Sequence, residues 1–475
     1  MPIAVLGAGI SGLTAAHALM RHGHDVQILD RRATAGGRIH TERRDGFLVE
    51  HGPNSMISPA PGAESLIETL GLSPERIDKT DAVRHRYLVR DGSIHALPLD
   101  PLGFFSSNFF SLRGRLRMLA EPFVPPRPGD ETVADFIRRR FGRELLDYVF
   151  DPLVGGLYAG DPEHLSVAAL LPRLKQLEAR YGSVMRGAAT KMLSGMDARF
   201  DPRRRQLFSF REGMATLPQR LAAALGPRLS SGIRVEALLP SAGGGFRLKV
   251  CEQGPITTLR ATLRARNVVI ALPAYAAARL LESFSPDAAH ALSNIAHPPL
   301  AIVALGFHRR QVAHPLDGLG VLTPTIERRN VLGFLFSSTL FSGRAPDDHV
   351  LLTAYVGGAR QPELAQLARE ELIALVRAEA RDLLGAQGEP VFESVRYWRH
   401  GLPQPGLGHA AQIGVLREIE QAFPGLNITG NYIAGISTAA CIDAALDATH
   451  SILRDALQNT RPKDKQRCIV GHVHR

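Results

Sequence analysis

The stretch IAVLGAGISGLTAAHAL, residues 3–19, decides the fold. Residues 3–7 read as a short apolar strand, and Gly7, Gly9 and Gly12 then set out the spacing G-x-G-x-x-G around Ala8, Ile10 and Ser11. The first glycine permits a tight turn, the second lets backbone approach a pyrophosphate, and the third lets the following helix pack on its strand. A second strand, DVQILD, ends in Asp30, where a carboxylate can accept the hydrogen bonds of an adenosine ribose. Strand, helix, second strand and terminal acid in register make a dinucleotide site of what alone would be a weak motif.

A second turn of the same kind lies over 400 residues away. GNYIAGISTAACIDAAL, residues 430–446, places a glycine turn before a run of small and apolar residues at helical spacing. Between Asp30 and residue 55, Gly37–Arg38 follows Gly36, and Gly52–Pro53–Asn54–Ser55 supplies another turn. Asp30, then Gly-Gly-Arg, then FLVEHGP resembles FAD-containing amine oxidases and their relatives. On that resemblance the first turn holds the ADP half of FAD, and 430–446 returns beneath its ring. A helix N-terminus there would stabilise negative charge on the reduced ring.

The fold class expected is α/β with α+β mixing: a split Rossmann-like FAD-binding domain, a mixed-sheet substrate domain and a mainly helical, membrane-associating lobe. The FAD-binding domain takes residues 1–63, 206–276 and 402–460, the substrate domain 64–98, 187–205 and 277–401, and the helical lobe 99–186. Within them GIRVEALLP reads as a strand, FRLKVCEQGPITTLRATL as a hairpin and NVVIALP as a buried strand. Asp130 or Thr132 would cap one helix and Ser166 another. A long helix is expected to open at Pro362 and close at Gly385. Residues 461–475, with five basic residues against one acid, read as a solvated tail.

Composition narrows the function. The chain has 56 Lys+Arg against 46 Asp+Glu, a net charge of +10, but the basic residues are scattered in pairs and triples, and no nucleic-acid-reading module is recognisable. No apolar run reaches the roughly 20 residues of a spanning helix. The N-terminal apolar run carries the glycine fingerprint with no basic residue ahead of it, so it does not read as a signal peptide. Cys251, Cys441 and Cys468 are too widely spaced for a disulfide framework or zinc site, which points to a reducing, cytoplasmic setting. The segment 99–128 places five of the 20 phenylalanines beside four arginines, an interfacial anchor or a packed aromatic cluster. As an anchor it would make the protein peripheral on the inner face of the cell membrane.

EHGPNSM (50–56), GGLYAGDPEHLSV (155–167), FSFREGMATLPQRLA (208–222), NVLGFLFSSTLFSGRAPDD (330–348) and YWRHGLPQPGLGH (397–409) resemble the protoporphyrinogen oxidase family, flavoenzymes of late haem synthesis. The resemblance runs from about residue 1 to 456. It implies FAD contacts at Gly7 to Gly12, Asp30, Gly37, Arg38, Gly52 to Ser55, Val235 (through its backbone), Trp398, Ile436, Ser437 and Thr438. It implies substrate contacts at Arg86, to a propionate, at Phe336, to the macrocycle, and at Leu319. The pair Ala439–Ala440 departs from more polar residues in relatives.

The implied chemistry removes six electrons and six protons from a porphyrinogen in three steps, with flavin N5 as hydride acceptor, no catalytic side chain and no metal. Implied partners are the porphyrinogen and O2, with an anionic membrane surface and a second copy of the chain as further candidates, and no nucleic acid. Coproporphyrinogen III oxidation is the close alternative. Amine oxidation or carotenoid desaturation is a distant one, and an FAD-binding scaffold without turnover is the non-enzymatic one.

Overall fold

A computed structural model describes residues 2–98, 103, 109–193, 206–253 and 258–459. Its organising element is a five-stranded parallel sheet. Ile3–Leu6 lies at the centre, with Val26–Asp30 and then Leu229–Ser231 on one side, and Asn267–Ile270 and then Leu426–Ile428 on the other. After its first two strands the chain leaves this sheet and returns to it three times. The strand order reverses beside Ile3–Leu6, and open α/β sheets bind ligands in the crevice at such a switch point.

The helix Ile10–Arg21 crosses from the first strand to the second, burying Leu13, Ala16 and Leu19. Against it packs the helix Thr438–Asn459, through Ile442 and Ala445 in the same core. On the other face, Leu238 and Leu248 of a three-stranded antiparallel meander join the helices Ala274–Leu281 and Pro286–Ser293.

The second sheet has seven strands in the order Phe392–Trp398, Leu300–His308, His349–Gly357, Gly333–Phe336, Gly318–Leu322, His85–Arg90, Ser93–Ala96. All neighbours are antiparallel except Gly318–Leu322 with His85–Arg90. Alternation divides its residues between two faces. Val303, Leu305, Phe334, Phe336 and Leu352 bury one face with Leu372, Val376 and Leu383 of the helix Arg369–Leu384. That helix does close at Gly385, which is left-handed at φ 63°, but it does not open at Pro362. The segment after Pro362 makes a short 3-10 turn, Leu364–Gln366, and the helix begins where Glu371 accepts the Ala368 N–H at 3.1 Å.

The remaining lobe is helical. Thr132, not Asp130, caps Val133–Arg140, its hydroxyl accepting the Asp135 N–H at 3.0 Å; Ser166 caps Val167–Leu170 through Ala169 N–H. Its centre is ionic: Arg140 is fully buried and pairs with Glu121 and Glu178 at 2.8 Å each, both carboxylates also buried. Phe109 and Phe110 are core here, packed with Leu88, Met118 and Leu145. Phe104, Phe105, Cys468 and the tail 461–475 lie outside the described residues. Among the described residues no helix is long and apolar enough to cross a membrane.

Candidate active site

The glycines of the first turn answer separate steric demands. A Cβ on Gly12 would lie 1.9 Å from the Gly7 carbonyl oxygen, so this position must be bare for the helix to meet its strand. A Cβ on Gly9 would meet only the Gly37 Cα, at 3.9 Å, and no other protein atom crowds it. That bareness serves something other than packing. Gly36 bridges to this turn through its N–H to the Ala8 carbonyl, 2.8 Å. Asp30 closes the crevice: its carboxylate accepts the Ala8 N–H at 2.6 Å and the Arg32 N–H at 2.8 Å, leaving lone pairs for a ribose.

The second turn comes to the same place. Gly435 adopts φ 101°, and the Ser437 hydroxyl caps the helix by accepting the Ala440 N–H at 3.1 Å. Ile436 and Ser437 are partly or fully exposed, and Thr438 is buried. Cys441 in the first turn of Thr438–Asn459 contacts Ser11 in the first turn of Ile10–Arg21. The two helix N-termini therefore lie side by side, and neither has an acidic residue in its first turn. Two positive helix ends open toward one crevice.

A cation and an indole complete this wall. Arg38 stands 5.3 Å from the Trp398 ring centroid, and burial pulls its guanidinium below the usual range. No ion pair involves Arg38 among the described residues. Trp398 donates its Nε1–H to the His51 carbonyl at 2.7 Å, which fixes the indole beside the Gly52–Ser55 turn. A Cβ on Gly52 would lie 2.0 Å from the Arg38 carbonyl oxygen, so the two loops lie in direct backbone contact. Asn54 reaches the Tyr355 hydroxyl at 3.2 Å, and the Ser55 hydroxyl donates to Asn54 Oδ1 at 2.9 Å. Val235 sits at a β-bulge where the ladder skips Glu236. A bare Gly9, paired helix ends, a half-buried cation with no ion pair among the described residues and an acid at the ribose position fit a dinucleotide flavin.

The substrate side differs from the sequence expectation. Phe336 is not brought to the site. It lies on the sheet face covered by Arg369–Leu384, fully buried against Tyr87 and His314, ring centroids 6.4 and 5.5 Å away. Alternation puts Leu335 on the opposite face instead, with Tyr355 and Trp398. Leu319 is half-exposed beside the bulge between Gly318 and Val321. Arg86 is exposed on the same strand face as Leu88, toward the helical lobe, with no ion pair among the described residues.

Tyr355 and Trp398 are packed with Ala159, Leu300 and Leu332, so the YAGDP turn closes over this face. Tyr355 and the turn at 158–160 are the site residues that sequence reading missed. At the same end of the sheet a cavity of about 570 Å³ is lined by Asp161, His297, Ala359 and Gln404, among others. Burial drives His297 there down to about 4.

Comparison with known proteins agrees with this architecture. The family model for flavin containing amine oxidoreductases matches residues 10–453. The mitochondrial protoporphyrinogen oxidase of Nicotiana tabacum is 31% identical, covering 98% of this chain and 97% of that protein. Coproporphyrinogen III oxidase of Bacillus subtilis is 27% identical, covering 95% and 97%. A crystal structure from Exiguobacterium sp. superposes with a TM-score of 0.80 at 23% identity, covering 96% of this chain and 99% of that one. With both helix ends, the bare glycine and the matched span in agreement, this chain belongs to the flavin containing amine oxidoreductase family.

Proposed function

We propose that the chain is an FAD-dependent oxidase that converts protoporphyrinogen IX to protoporphyrin IX in haem biosynthesis, with O2 as final acceptor and H2O2 as product. The observation that carries this reading is the apolar aromatic wall of Tyr355, Trp398, Leu300 and Leu332 beneath the YAGDP turn, joined to the first glycine turn by Arg38 beside Trp398 and Gly37 beside Gly9. A largely apolar macrocycle suits that wall. The exposed, unpaired guanidinium of Arg86 suits a propionate, which it can bind bidentately. FAD supplies hydride acceptance when bound; Gly7 to Gly12, Asp30, Gly37–Arg38, Gly52–Ser55, Val235, Trp398 and Ile436–Thr438 would hold it. The protein's own part is to orient the macrocycle, exclude water and fix the carboxylates.

Coproporphyrinogen III, with four propionates, is the second reading. Arg31, Arg279 and Arg399 gather around His400 with no ion pair among the described residues, a cationic rim that suits extra carboxylates. Incubation with each porphyrinogen under air, followed by product analysis and peroxide determination, tests both. Fluorescent porphyrin with peroxide from protoporphyrinogen IX supports the first reading, product from coproporphyrinogen III alone replaces it with the second, and none from either removes both.

The pieces 1–63, 206–276 and 402–460 serve as the cofactor domain and 64–98, 187–205 and 277–401 as the substrate domain. The lobe 99–186 rests on an anionic membrane surface. Leu112, Leu116, Leu119 and Phe123 support this, exposed at 67%, 59%, 49% and 82% along one short helix and the turn after it. Apolar side chains entering the headgroup region beside arginines make an interfacial anchor.

A further inference from the structure

Behind the wall lies a carboxyl group that the cofactor and substrate contacts leave unused. Glu50 ends the strand Phe47–Glu50 and is 8% exposed. One oxygen accepts the Met214 N–H at 2.7 Å; the other accepts the Thr41 hydroxyl at 2.7 Å. Gly213 must be glycine here, since a Cβ would stand 2.7 Å from Glu50 Oε1. Arg344, itself buried, spends its guanidinium on Ser209 Oγ, the Phe210 carbonyl and the Arg211 carbonyl, at 2.9, 3.0 and 3.2 Å. It makes no ion pair with Glu50. Instead the two line one cavity of about 10 Å³ with Asn54, Ser337 and Leu335. That is the size of a single water, and four polar side chains surround it.

The cavity borders the site face of the sheet. Leu335 is on the wall face, and Asn54 bonds the Tyr355 hydroxyl. We propose that Glu50 is the proton acceptor of the site, receiving through one water in this cavity the protons that substrate oxidation releases. The inference rests on the porphyrinogen reading above. A two-electron step takes two hydrogens from the macrocycle. One carries both electrons to the cofactor; the other leaves a pyrrole nitrogen as a proton. That N–H bond breaks as an O–H bond forms on Glu50 through the water, and the neutral acid returns its proton to solvent between steps.

The electrostatics agree. Burial pushes the Glu50 carboxyl up to about 7, against the hydrogen bonds from Met214 and Thr41 and the charge of Arg344. Tyr355 faces it from the sheet, itself pushed up by burial; Glu212 and Arg43 act on Arg344 from the surface; and His51 turns the other way, onto Glu42. A group poised near the working pH is what an acceptor needs. Raising the pH through about 7 deprotonates Glu50, so the rate should rise with pH.

The test uses the FAD-loaded full chain and its Glu50→Gln variant, whose amide can keep both partners. In the parent, anaerobic flavin reduction by the porphyrinogen should rise with a midpoint near 7. In Glu50→Gln it should fall about a hundredfold and lose that dependence, with flavin content unchanged. Independently of turnover, infrared difference spectra of the parent should show a protonated-carboxyl band that vanishes across this midpoint and is missing in the variant. Ser337→Val, which fills the cavity, should slow the step while keeping the band, and serves if Glu50→Gln fails to fold. Glu50→Gln with the parent's rate and pH profile or with the band intact, or Ser337→Val with the parent's rate, overturns the role of Glu50 alone. A parent whose flavin no porphyrinogen reduces overturns the substrate reading and this inference together.

Discussion

Two glycines three positions apart, Gly9 and Gly12, should fail in different ways when given one methyl group. At Gly12 the new Cβ would lie 1.9 Å from the Gly7 carbonyl oxygen and 3.1 Å from its carbon. Backbone on both sides is held by the sheet and the helix, so relief requires a shift of about an ångström in a close-packed region. Gly12→Ala should therefore cost about 3 kcal/mol or more and lower Tm by about 3 °C or more, with or without cofactor. At Gly9 the Cβ meets only Gly37 Cα at 3.9 Å, and φ is −77°, which alanine adopts freely. The apoprotein of Gly9→Ala should match the parent's Tm or exceed it slightly, because alanine restricts the unfolded chain. What the methyl obstructs is the pyrophosphate. Losing one charge-assisted backbone contact is worth about 1.5–3 kcal/mol, or roughly a tenfold to hundredfold weaker FAD affinity. Differential scanning of apo and reconstituted proteins, with flavin titration, separates the two effects. Gly9→Ala binding FAD as tightly as the parent, or Gly12→Ala as stable as the parent, would refute the reasoning.

Arg86→Ala should raise KM for the porphyrinogen by up to about fivefold with flavin content intact, since an exposed ion pair of about 0.2–1 kcal/mol is lost; an unchanged KM removes Arg86 from the substrate contacts. Arg140→Ala leaves Glu121 a buried carboxylate without its cation, while Glu178 keeps Arg139 and Lys175, and should cost about 3–5 kcal/mol, read as lowered amide-exchange protection centred on the helical lobe. Parent-like protection would show that this ionic cluster is dispensable. Leu116→Ser/Phe123→Ser should weaken salt-sensitive cosedimentation with anionic vesicles without loss of FAD. Equal binding by the double variant would move the contact elsewhere.

The cofactor side was legible because its signals are local. Each glycine of 7–12 answers a steric question within a few residues, and Asp30 ends its own strand. The caps at Thr132 and Ser166 are equally local. The substrate side depends on which face a strand presents, and GFLFSS and LLTAYVGG are apolar at nearly every position. Their phase is set by cross-strand register, Leu335 with Thr353 and Gly333 with Tyr355, so Phe336 was read as a wall residue and Tyr355 was passed over. The hairpin His85–Arg90, Ser93–Ala96 carried a readable signal in Asp91–Gly92, both at positive φ. Glu50 stands in a quoted motif, but its burial comes from Met214, 164 residues away in sequence.

The central claim is that a porphyrinogen gives its electrons to a flavin held between the two helix ends. Anaerobic mixing of the purified, FAD-loaded protein with protoporphyrinogen IX, followed at the flavin absorbance, tests it most directly. The account predicts bleaching of the oxidised flavin together with porphyrin formation, and recovery of the flavin colour on admitting O2. A yellow protein whose flavin neither protoporphyrinogen IX nor coproporphyrinogen III bleaches would contradict it.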